Sequence, residues 1–415
     1  MQVFERLESE VRGYCRTFPT VFRSAKNARL TDTGGRTFVD FFAGAGVLNF
    51  GHNEDGMKRA LIAYLESDGV AHSLDMATEA KALFLERFDE VILQPRGLRY
   101  KLQFTGPTGT NAVEAALKLA RKITGRRGIV AFTDGFHGMT LGALACTGNG
   151  LHRAAAGVPL NDVVRVPFDG YLGPEVDTLE SLRRQLADPS SGVTAPAAFL
   201  LETIQAEGGV NVARPEWLRA VQDLARQHES LLIVDDIQVG CGRTGRYFSF
   251  EEAGLEPDVV VLAKGIGGYG LPLAMLLVKP ERDQWKPGEH TGTFRGQGLS
   301  FVAGREALRF FENDRLLRSV VEHGAHTDAR LRDLARRHER LGLRVRSVGM
   351  IHGLEFPDGA LAGRASKEAF DRGLVIATCG PAGRVLKVIA PLTIERDTLD
   401  EGLALLDAAV AAVAA

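Results

Sequence analysis

The sequence predicts an α/β protein with a large domain built on a mainly parallel sheet flanked by helices, and a small α+β domain formed by both chain ends. Two observations lead to this prediction. Short apolar runs rich in Val, Ile and Leu alternate with helical segments through the middle of the chain. From about residue 300, long charged helices and a few further strand candidates replace that pattern. Short apolar runs of this kind are typical of strands buried on both faces of a parallel sheet.

Composition and charge narrow the class of protein. The 415 residues are 45% hydrophobic and 25% charged, which is typical of a globular protein and argues against a disordered one. A net charge of −2, with both signs interspersed, leaves no broad basic surface for nucleic acid or anionic lipid. We therefore expect neither nucleic acid nor a membrane as a partner.

The N-terminus and the cysteines bear on location. The first 15 residues are charged and amphipathic, and no run of 18 apolar residues occurs, which argues against a signal peptide or a membrane-spanning helix. The four cysteines lie far apart, without a CxxC pair or a Cys/His spacing, so neither a disulfide framework nor a metal site is expected. A cytoplasmic location is the expectation.

The elements of the N-terminal and middle parts can be assigned in order. A helical pattern opens the chain, and residues 28–44 predict a β-hairpin because alternating residues flank an Asp-Thr-Gly-Gly turn. A strong helix is predicted at 110–124. Strands are predicted for four apolar runs, at 128–132, 197–202, 231–236 and 259–263.

The C-terminal part predicts a different mixture. It contains a charged helix at 328–342, strands around 344–356, 374–378 and 384–392, and a closing Ala-rich helix at 401–415. We predict that residues 51–300 form the large domain, and that residues 1–50 and 301–415 together form the small one. No linker separates the parts, so the two domains are expected to share an interface.

The first candidate site is the turn before the predicted helix at 110–124. Open α/β sheets bind ligands at the carboxyl ends of their strands, so residues just after an apolar run matter most. Here Gly109 and Thr110 leave free backbone N–H groups and a hydroxyl at the positive end of the helix dipole. Such a turn suits a phosphate, although an ordinary helix cap has the same composition.

The second candidate site is a pair of carboxylates. Asp235 and Asp236 end the run LLIVDD, which should be a buried strand. Because burying an unpaired carboxylate costs several kcal/mol, an anion at this position needs a cationic partner. A helix cap or a surface loop would explain one aspartate, but hardly both together with the following Gln238.

The third candidate is Lys264, which follows the apolar run VVVLA and precedes GIGGYG. A lysine at a buried strand end is easily desolvated, which lowers its pKa and frees its amine to attack a carbonyl carbon. Taken alone, it could equally reach solvent. The glycines match the dinucleotide fingerprint GxGxxG only weakly, because the segment after them contains Pro272 and is predicted to be a strand rather than a helix.

The fourth candidate is the turn with Phe136 and His137, which follows the strand predicted at 128–132. An aromatic ring at a strand end can stack on a flat ligand, or simply fill the core.

Together the four sites describe a ligand with a phosphate, a flat ring, a cationic ring nitrogen and an aldehyde. That ligand is pyridoxal 5′-phosphate. The motifs of P-loop nucleotide hydrolysis, HExxH zinc proteolysis and the GxSxG nucleophile elbow do not occur.

Over essentially its whole length the sequence resembles the class III aminotransferases, which have fold type I of the pyridoxal-phosphate-dependent transferases. The stretch VDDIQVGCGRTG at 234–245 is similar to the family motif D-E-x-Q-x-G-x-G-R-T-G. The resemblance implies that Asp235 pairs with the pyridine nitrogen, that Ile237 packs under the ring and that Gln238 lies near the phenolic oxygen. Asp236 stands where the family usually has Glu.

The resemblance implies further roles. Lys264 matches the lysine that forms the Schiff base in a ping-pong transamination, and Glu207 matches a glutamate that pairs with an arginine and swings aside for dicarboxylates. Thr293 matches the threonine that reaches the phosphate of the neighbouring subunit, so a homodimer with shared sites is implied. The implied cofactor contacts also include Gly109, Thr110, Phe136 and His137.

Motifs such as YCRTFP at 14–19 and WKPGEH at 285–290 are most similar to the diaminobutyrate–2-oxoglutarate transaminases of ectoine and siderophore pathways. This similarity implies amino transfer between glutamate and the aldehyde carbon of aspartate 4-semialdehyde. Lys387 stands where acetylornithine-type relatives carry a carboxylate-binding arginine, and Arg295 is a cation that those relatives lack. Either residue is a candidate for binding the substrate carboxylate, and either could instead be a solvated surface charge.

Several alternatives stay open on the sequence. Another ω-amine, such as ornithine or putrescine, is the nearest rival donor. A class III-like racemase or aminomutase would keep Lys264, Asp235 and Gln238 unchanged. A nucleotide-binding oxidoreductase would depend on the weak GxGxxG match, and a binding protein without catalysis would have no reason to keep Lys264 beside Asp235.

Overall fold

The computed structural model describes residues 2–414, so Met1 and Ala415, at the outer ends of the predicted small domain, lie outside the described residues. The strands, numbered in chain order, are β1 (Phe22–Lys26), β2 (Arg29–Asp32), β3 (Thr37–Asp40), β4 (Lys101–Phe104), β5 (Ile129–Phe132), β6 (Val163–Val166), β7 (Ala198–Leu201), β8 (Ile204–Gln205), β9 (Asn211–Val212), β10 (Leu231–Asp235), β11 (Val259–Leu262), β12 (Met275–Val278), β13 (Arg344–Val348), β14 (Ile351–Glu355), β15 (Leu374–Val375), β16 (Ala377–Cys379) and β17 (Val385–Val388). The α-helices are α1 (Gln2–Leu7), α2 (Tyr14–Thr17), α3 (Ala43–Gly46), α4 (Asp55–Glu66), α5 (Glu79–Phe88), α6 (Gly109–Thr124), α7 (Leu141–Cys146), α8 (Gly150–Ala154), α9 (Glu180–Ala187), α10 (Pro215–Gln227), α11 (Gly298–Leu308), α12 (Arg315–Arg337), α13 (Gly359–Arg372) and α14 (Arg396–Ala414).

The largest sheet has seven strands in the order β4-β12-β11-β10-β7-β5-β6. Strand β10 runs parallel to β11 and β7, and β5 runs parallel to β7 and β6. Only β12 is reversed in this sheet, since it is antiparallel to both β11 and β4. The predicted α/β fold with a mainly parallel sheet is therefore confirmed.

Helices cover both faces of this sheet, which explains why its strands are apolar throughout. Along β10, Leu232 and Val234 belong to one apolar cluster, which includes Trp217 of α10. Leu231 and Ile233 belong to a second cluster, which includes the buried face of α6. Because successive side chains alternate between two covered faces, polar side chains collect at the carboxyl ends of the strands.

Two four-stranded sheets accompany the large one, in the orders β1-β2-β3-β15 and β13-β14-β17-β16. The predicted hairpin at 28–44 is confirmed, because β2 and β3 pair antiparallel with Leu30 opposite Phe38. Strand β15, from the C-terminal part, pairs parallel with β3, so the two chain ends share a sheet. The domain boundaries at residues 50 and 300 stay a prediction.

Some segments differ from the expectation in detail. The run 374–378, predicted as one strand, is divided between β15 and β16, which belong to different sheets. The GIGGYG segment forms a short 3₁₀ turn and then leads to β12, so no helix follows the glycines. Within residues 2–414, no helix combines the length and the apolar character needed to cross a membrane.

A buried arginine connects the middle of the chain to its two ends. Arg243 is fully buried, and its guanidinium donates to the carbonyl oxygens of Met350, at 3.0 Å, and Ala390. It also donates to Oδ1 of Asn49 at 2.6 Å. Burial lowers the pKa of Arg243 to about 9. The side chain thus holds the segment after β10 against strands of the C-terminal part.

We predict that Arg243→Met lowers the thermal unfolding midpoint by several degrees. Each acceptor left unpaired in the interior costs on the order of 1–3 kcal/mol. The matched control is Arg246→Met, because the Arg246 side chain is 61% exposed and forms a surface ion pair at 3.7 Å with Glu252. Thermal melts followed by circular dichroism measure both variants, and equal shifts would contradict the role given to Arg243.

Candidate active site

The carboxyl ends of the parallel strands open into a cavity of about 440 Å³. This volume lies within the usual range for small-molecule sites. The cavity wall brings together nine of the residues singled out in the sequence, which are Gly109, Thr110, Phe136, His137, Glu207, Asp235, Ile237, Gln238 and Lys264. Lys387, Thr293 and Arg295 do not line it.

Asp235 lies at the end of β10 and is 3% exposed. Nδ1 of His137 lies 2.8 Å from its Oδ2, and the backbone N–H of Ile237 donates to its Oδ1 at 3.2 Å. His137 is itself fixed, because its backbone N–H donates to Oγ1 of Thr147 at 3.0 Å. Both carboxylate oxygens therefore have a donor, and the side chain is held rigidly at the cavity wall.

Asp236, the next residue, does not line the cavity. The backbone N–H of Ser249 donates to both of its carboxylate oxygens, at 3.3 and 3.2 Å. Burial raises the pKa of Asp236 to about 7, against the opposing effect of the Ser249 hydrogen bonds. The alternation of the strand thus separates the two aspartates, and only the first faces the ligand space.

Lys264 follows β11 and is the first residue of the 3₁₀ turn. Its φ of +52° lies in the left-handed region, which is strained for a residue with a Cβ. Burial lowers the pKa of Lys264, and Glu207 and Asp235 offset this effect only in part. A larger fraction of its amine is therefore uncharged than for a lysine in water.

The turn before α6 has the close packing of an anion cradle. A Cβ on Gly109 would lie 2.8 Å from Cδ1 of Ile237, and a Cβ on Gly138 would lie 2.3 Å from Oγ1 of Thr110. A side chain at Gly109 would require Ile237 to shift, and one at Gly138 would collide with Thr110. The first N–H groups of α6 have no partner within the helix, so they are available to a ligand anion.

Two residues that the sequence reasoning missed orient this turn. Oγ1 of Thr110 lies 2.6 Å from Oγ1 of Thr140, which donates at 2.7 Å to Oε1 of Glu114. The same Glu114 oxygen accepts the backbone N–H of Gly142 at 2.8 Å. Because an ionised carboxylate only accepts, Thr140 gives its proton to Glu114 and Thr110 gives its proton to Thr140. The backbone N–H of Thr110, and not its hydroxyl, is thus the free donor.

Glu207 forms an ion pair with Lys387 on β17. Glu207 lines the cavity and keeps 28% of its side chain exposed, whereas Lys387 keeps 2%. Nε2 of Gln238 donates to Oε1 of Glu207 at 3.0 Å and to the carbonyl of Ala45 at 2.7 Å, and its Oε1 accepts from Lys387 at 3.0 Å. Glu207 thus lies between a buried cation and the cavity.

Charge coupling stabilises this pair. Burial raises the pKa of Glu207, but Lys387 and Lys264 outweigh it and lower the value to about 2. Burial lowers the pKa of Lys387, and Glu207 more than offsets this and raises it. Since the folded-state pKa of Glu207 is depressed, its contribution to stability is present above the ordinary value of 4.5 and is lost as the pH falls towards 2.

Glu202 is a further cavity residue that the sequence reasoning missed. It directly follows β7 and accepts the backbone N–H of Phe136 at 3.0 Å. Burial, and then the charge of Asp235, raise its pKa well above 4.5. The signal that singled out Asp235, a carboxylate directly after a buried strand, applied equally to Glu202 in AAFLLE.

The structure places Thr293 and Arg295 outside the cavity of this chain. Thr293 is exposed. Arg295 forms an ion pair with Asp75 and donates to the carbonyl of His290 at 2.6 Å. The roles expected for these two residues, in phosphate binding by a neighbouring subunit and in carboxylate binding, stay predictions.

The donor set of the cavity fits pyridoxal 5′-phosphate. The N–H groups at the start of α6, which have no partner within the helix, suit a phosphate, and Gly109 carries no side chain that would block its approach to the backbone. Asp235 suits a protonated ring nitrogen. Lys264 lies at the same cavity with a lowered pKa and suits an aldehyde carbon.

Comparison with known proteins identifies the family. The family model of class-III aminotransferases matches residues 12–410. An uncharacterized aminotransferase of Sinorhizobium fredii is 56% identical over 99% of this chain and 92% of its own length. A diaminobutyrate–2-oxoglutarate transaminase of Wolinella succinogenes is 54% identical over 100% of this chain and 96% of its own length.

Solved structures share the fold. A PLP-bound amine transaminase from an uncultivated Pseudomonas species superposes with a TM-score of 0.86, at 25% identity, over 98% of each chain. The cofactor of the class III enzymes is pyridoxal 5′-phosphate, which the donor set of this cavity fits. The match of the family model over nearly the whole chain, together with relatives more than 50% identical, shows that this protein belongs to the class III aminotransferases.

Proposed function

We propose that the protein transfers the terminal amino group between L-2,4-diaminobutyrate and 2-oxoglutarate, yielding aspartate 4-semialdehyde and glutamate, in either direction. The observation that supports this substrate pair most directly is the likeness, over the whole chain, to relatives named diaminobutyrate–2-oxoglutarate transaminase. The cavity is consistent with these substrates. Glu207 pairs with the cation Lys387, which suits a site that binds diaminobutyrate, with one carboxylate, and 2-oxoglutarate, with two, in turn.

Bound pyridoxal 5′-phosphate supplies an aldehyde for an amine and a ring that withdraws electrons. The N–H groups at Gly109 and Thr110 hold its phosphate. Phe136 and Ile237 would hold its ring, and Asp235 would keep a proton on the ring nitrogen.

Lys264 has two tasks in this proposal. Its Nζ binds the cofactor at rest, which requires the uncharged amine that burial favours. When not bound to the cofactor, the same Nζ would move a proton to and from the carbon that carries the substrate amine. Lys264 begins the 3₁₀ turn one residue after the buried strand β11, and this position places it at the cavity wall.

Glu207 and Lys387 discriminate between substrates. While Glu207 covers Lys387, the pair is neutral overall and offers no free cation to a substrate carboxylate. A dicarboxylate that displaces Glu207 gains Lys387 as its partner. Because Lys387 contacts a cavity residue and Arg295 is engaged with Asp75, we assign the carboxylate-binding role to Lys387 first.

We also propose that the protein works as a homodimer with shared sites. Thr293 is exposed next to Phe294, which is 63% exposed. Leu74 and Met76 are exposed as well, and the Phe294 ring contacts the ring of His72 edge to face at 5.4 Å. An apolar surface of this kind beside Thr293 is typical of a subunit interface.

A cytoplasmic location is part of the proposal. The four cysteines of the described chain are all free, and Cys146, Cys241 and Cys379 are buried. Unpaired thiols persist in reducing compartments.

The first prediction from the proposed function concerns Lys264. Lys264→Ala should abolish covalent capture of the cofactor and almost all turnover, because no other amine lines the cavity in the described part of the chain. Mass spectrometry after borohydride reduction detects the bound cofactor. Lys367→Ala, at a side chain that is 74% exposed, is the control and should keep both properties. Covalent labelling in Lys264→Ala would remove the assignment.

The second prediction concerns substrate choice. In a coupled assay with 2-oxoglutarate, L-2,4-diaminobutyrate should be the best donor, ahead of ornithine and putrescine, and N-acetylornithine should be poor. Lys387→Met should raise the KM for 2-oxoglutarate by about 10- to 150-fold, the equivalent of 1.5–3 kcal/mol for a hydrogen bond to a charged group.

Two further variants, and an assay without 2-oxoglutarate, distinguish this assignment from its alternatives. Lys387→Arg keeps the charge and should have the smaller effect. Arg295→Lys tests the other candidate cation, and a larger KM effect there than in Lys387→Met would reverse the assignment. A faster reaction with putrescine would show that the α-carboxylate is not recognised, and product formed without 2-oxoglutarate would indicate a racemase or an aminomutase.

The third prediction concerns the dimer. Phe294→Asp should weaken subunit association and cofactor affinity together, because a phosphate contact from the partner couples the two equilibria. Sedimentation velocity and cofactor titration measure them on the same samples. Tyr171→Asp, at a residue 55% exposed elsewhere, should change neither. A cofactor-loaded wild-type protein that stays monomeric at micromolar concentration would refute the shared sites.

A further inference from the structure

Two carboxyl groups, those of Glu202 and Asp235, come from neighbouring strand ends and line the same cavity. Strands β7 and β10 are parallel neighbours, with Leu201 opposite Val234. The next residues along the two strands are Glu202 and Asp235, and both line the cavity. Neighbouring strands are about 4.8 Å apart, so the two side chains leave the sheet edge as a pair.

The two carboxyls differ in how many donors hold them. Asp235 has a donor on each oxygen, from His137 and from the backbone N–H of Ile237. Glu202 accepts one hydrogen bond, from the backbone N–H of Phe136, and is 7% exposed. Donors stabilise the ionised form of a carboxyl, so Glu202, with the single donor, is the less favoured place for a negative charge.

Neighbouring charges reinforce this difference. Burial raises the pKa of Glu202 most, and the negative charges of Asp235 and Glu207 raise it further. Lys264 acts in the opposite direction, as does the Phe136 hydrogen bond, without outweighing burial. Two adjacent buried carboxyls seldom ionise together, and the one with fewer donors keeps the proton.

We propose that Glu202 is a positioning residue that stays protonated beside Asp235, so that a single negative charge faces the ring nitrogen of the cofactor. The carboxyl oxygen that accepts from Phe136 fixes the turn carrying both Phe136 and His137, which are the ring neighbour and the partner of Asp235. The inference builds on the cofactor contacts proposed above for Asp235 and Phe136. It adds that the neighbouring carboxyls of Glu202 and Asp235 share one proton and one negative charge, with the proton on Glu202.

The test uses Glu202→Gln, which keeps the shape and a hydrogen-bond acceptor without any charge. Infrared spectra taken at neutral pH in the Asp236→Asn background should contain the C=O stretch of a protonated carboxyl, and Glu202→Gln should remove that band. The Asp236→Asn background is needed because Asp236 has a pKa of about 7 and would contribute a band of its own. Glu229→Gln, at a side chain 89% exposed, is the control and should leave the band intact.

Cofactor affinity gives a second readout. Glu202→Gln should bind pyridoxal 5′-phosphate within about threefold of the parent, whereas Glu202→Leu should bind it about tenfold or more weakly, because the N–H of Phe136 loses its acceptor. Circular dichroism shows whether each variant folds, and the Gln comparison suffices if the Leu variant does not.

The outcomes separate this inference from the proposed function. A parent spectrum without the band, or a Glu202→Gln variant as weak as Glu202→Leu, would overturn the protonated state of Glu202. The infrared result does not depend on which amine is the substrate. If the band behaves as expected but Lys264→Ala still captures cofactor covalently, the assignment of Lys264 fails and the state of Glu202 stands.

Discussion

Charge buried away from water must find partners inside the protein, and this constraint organises the whole active site. Asp235, Glu207 and Lys387 lie at or behind one cavity, and water reaches them only in part. An isolated charge in such a place is too costly to keep. Each of the three is therefore held by donors or acceptors from other segments, and the segments must be in register for those contacts to exist.

The same constraint shapes the scaffold around the cavity. Arg243 is buried with carbonyl and amide oxygens as its partners, and it makes no ion pair within residues 2–414. Its three acceptors come from the N-terminal part and from two C-terminal segments. The guanidinium thus connects the segment after β10 to the residue before β14 and to the segment after β17.

Much of the fold could be predicted because its information is local. Apolar runs marked β5, β7, β10 and β11, and the Asp-Thr-Gly-Gly turn marked the hairpin of β2 and β3. Strand order and the division of 374–378 between two sheets could not be predicted, since pairing between distant segments leaves no periodic signal in the sequence.

The site shows the same limit. Asp235 and Lys264 could be predicted because each stands at the end of a buried strand, and Glu202, directly after β7, carries the same local signal. The pairing of Glu207 with Lys387 joins residues 180 positions apart, and tertiary structure alone creates it. Local patterns therefore identify which side chains have chemistry, and not which of them are partners.

The contacts of Gln238 have a consequence for the order in which the protein is made. The side-chain amide of Gln238 forms hydrogen bonds with Ala45, 193 positions earlier in the chain, and with Lys387, 149 positions later. During synthesis the large sheet can complete β10 and β11 while β17 is still inside the ribosome. Until β17 emerges, Glu207 lacks its ion-pair partner Lys387, and Gln238 lacks one of its hydrogen-bond partners. The nascent chain therefore has the strand ends that carry Asp235 and Lys264 before it has Lys387, and the cation proposed to select the substrate is added only when the last strand docks.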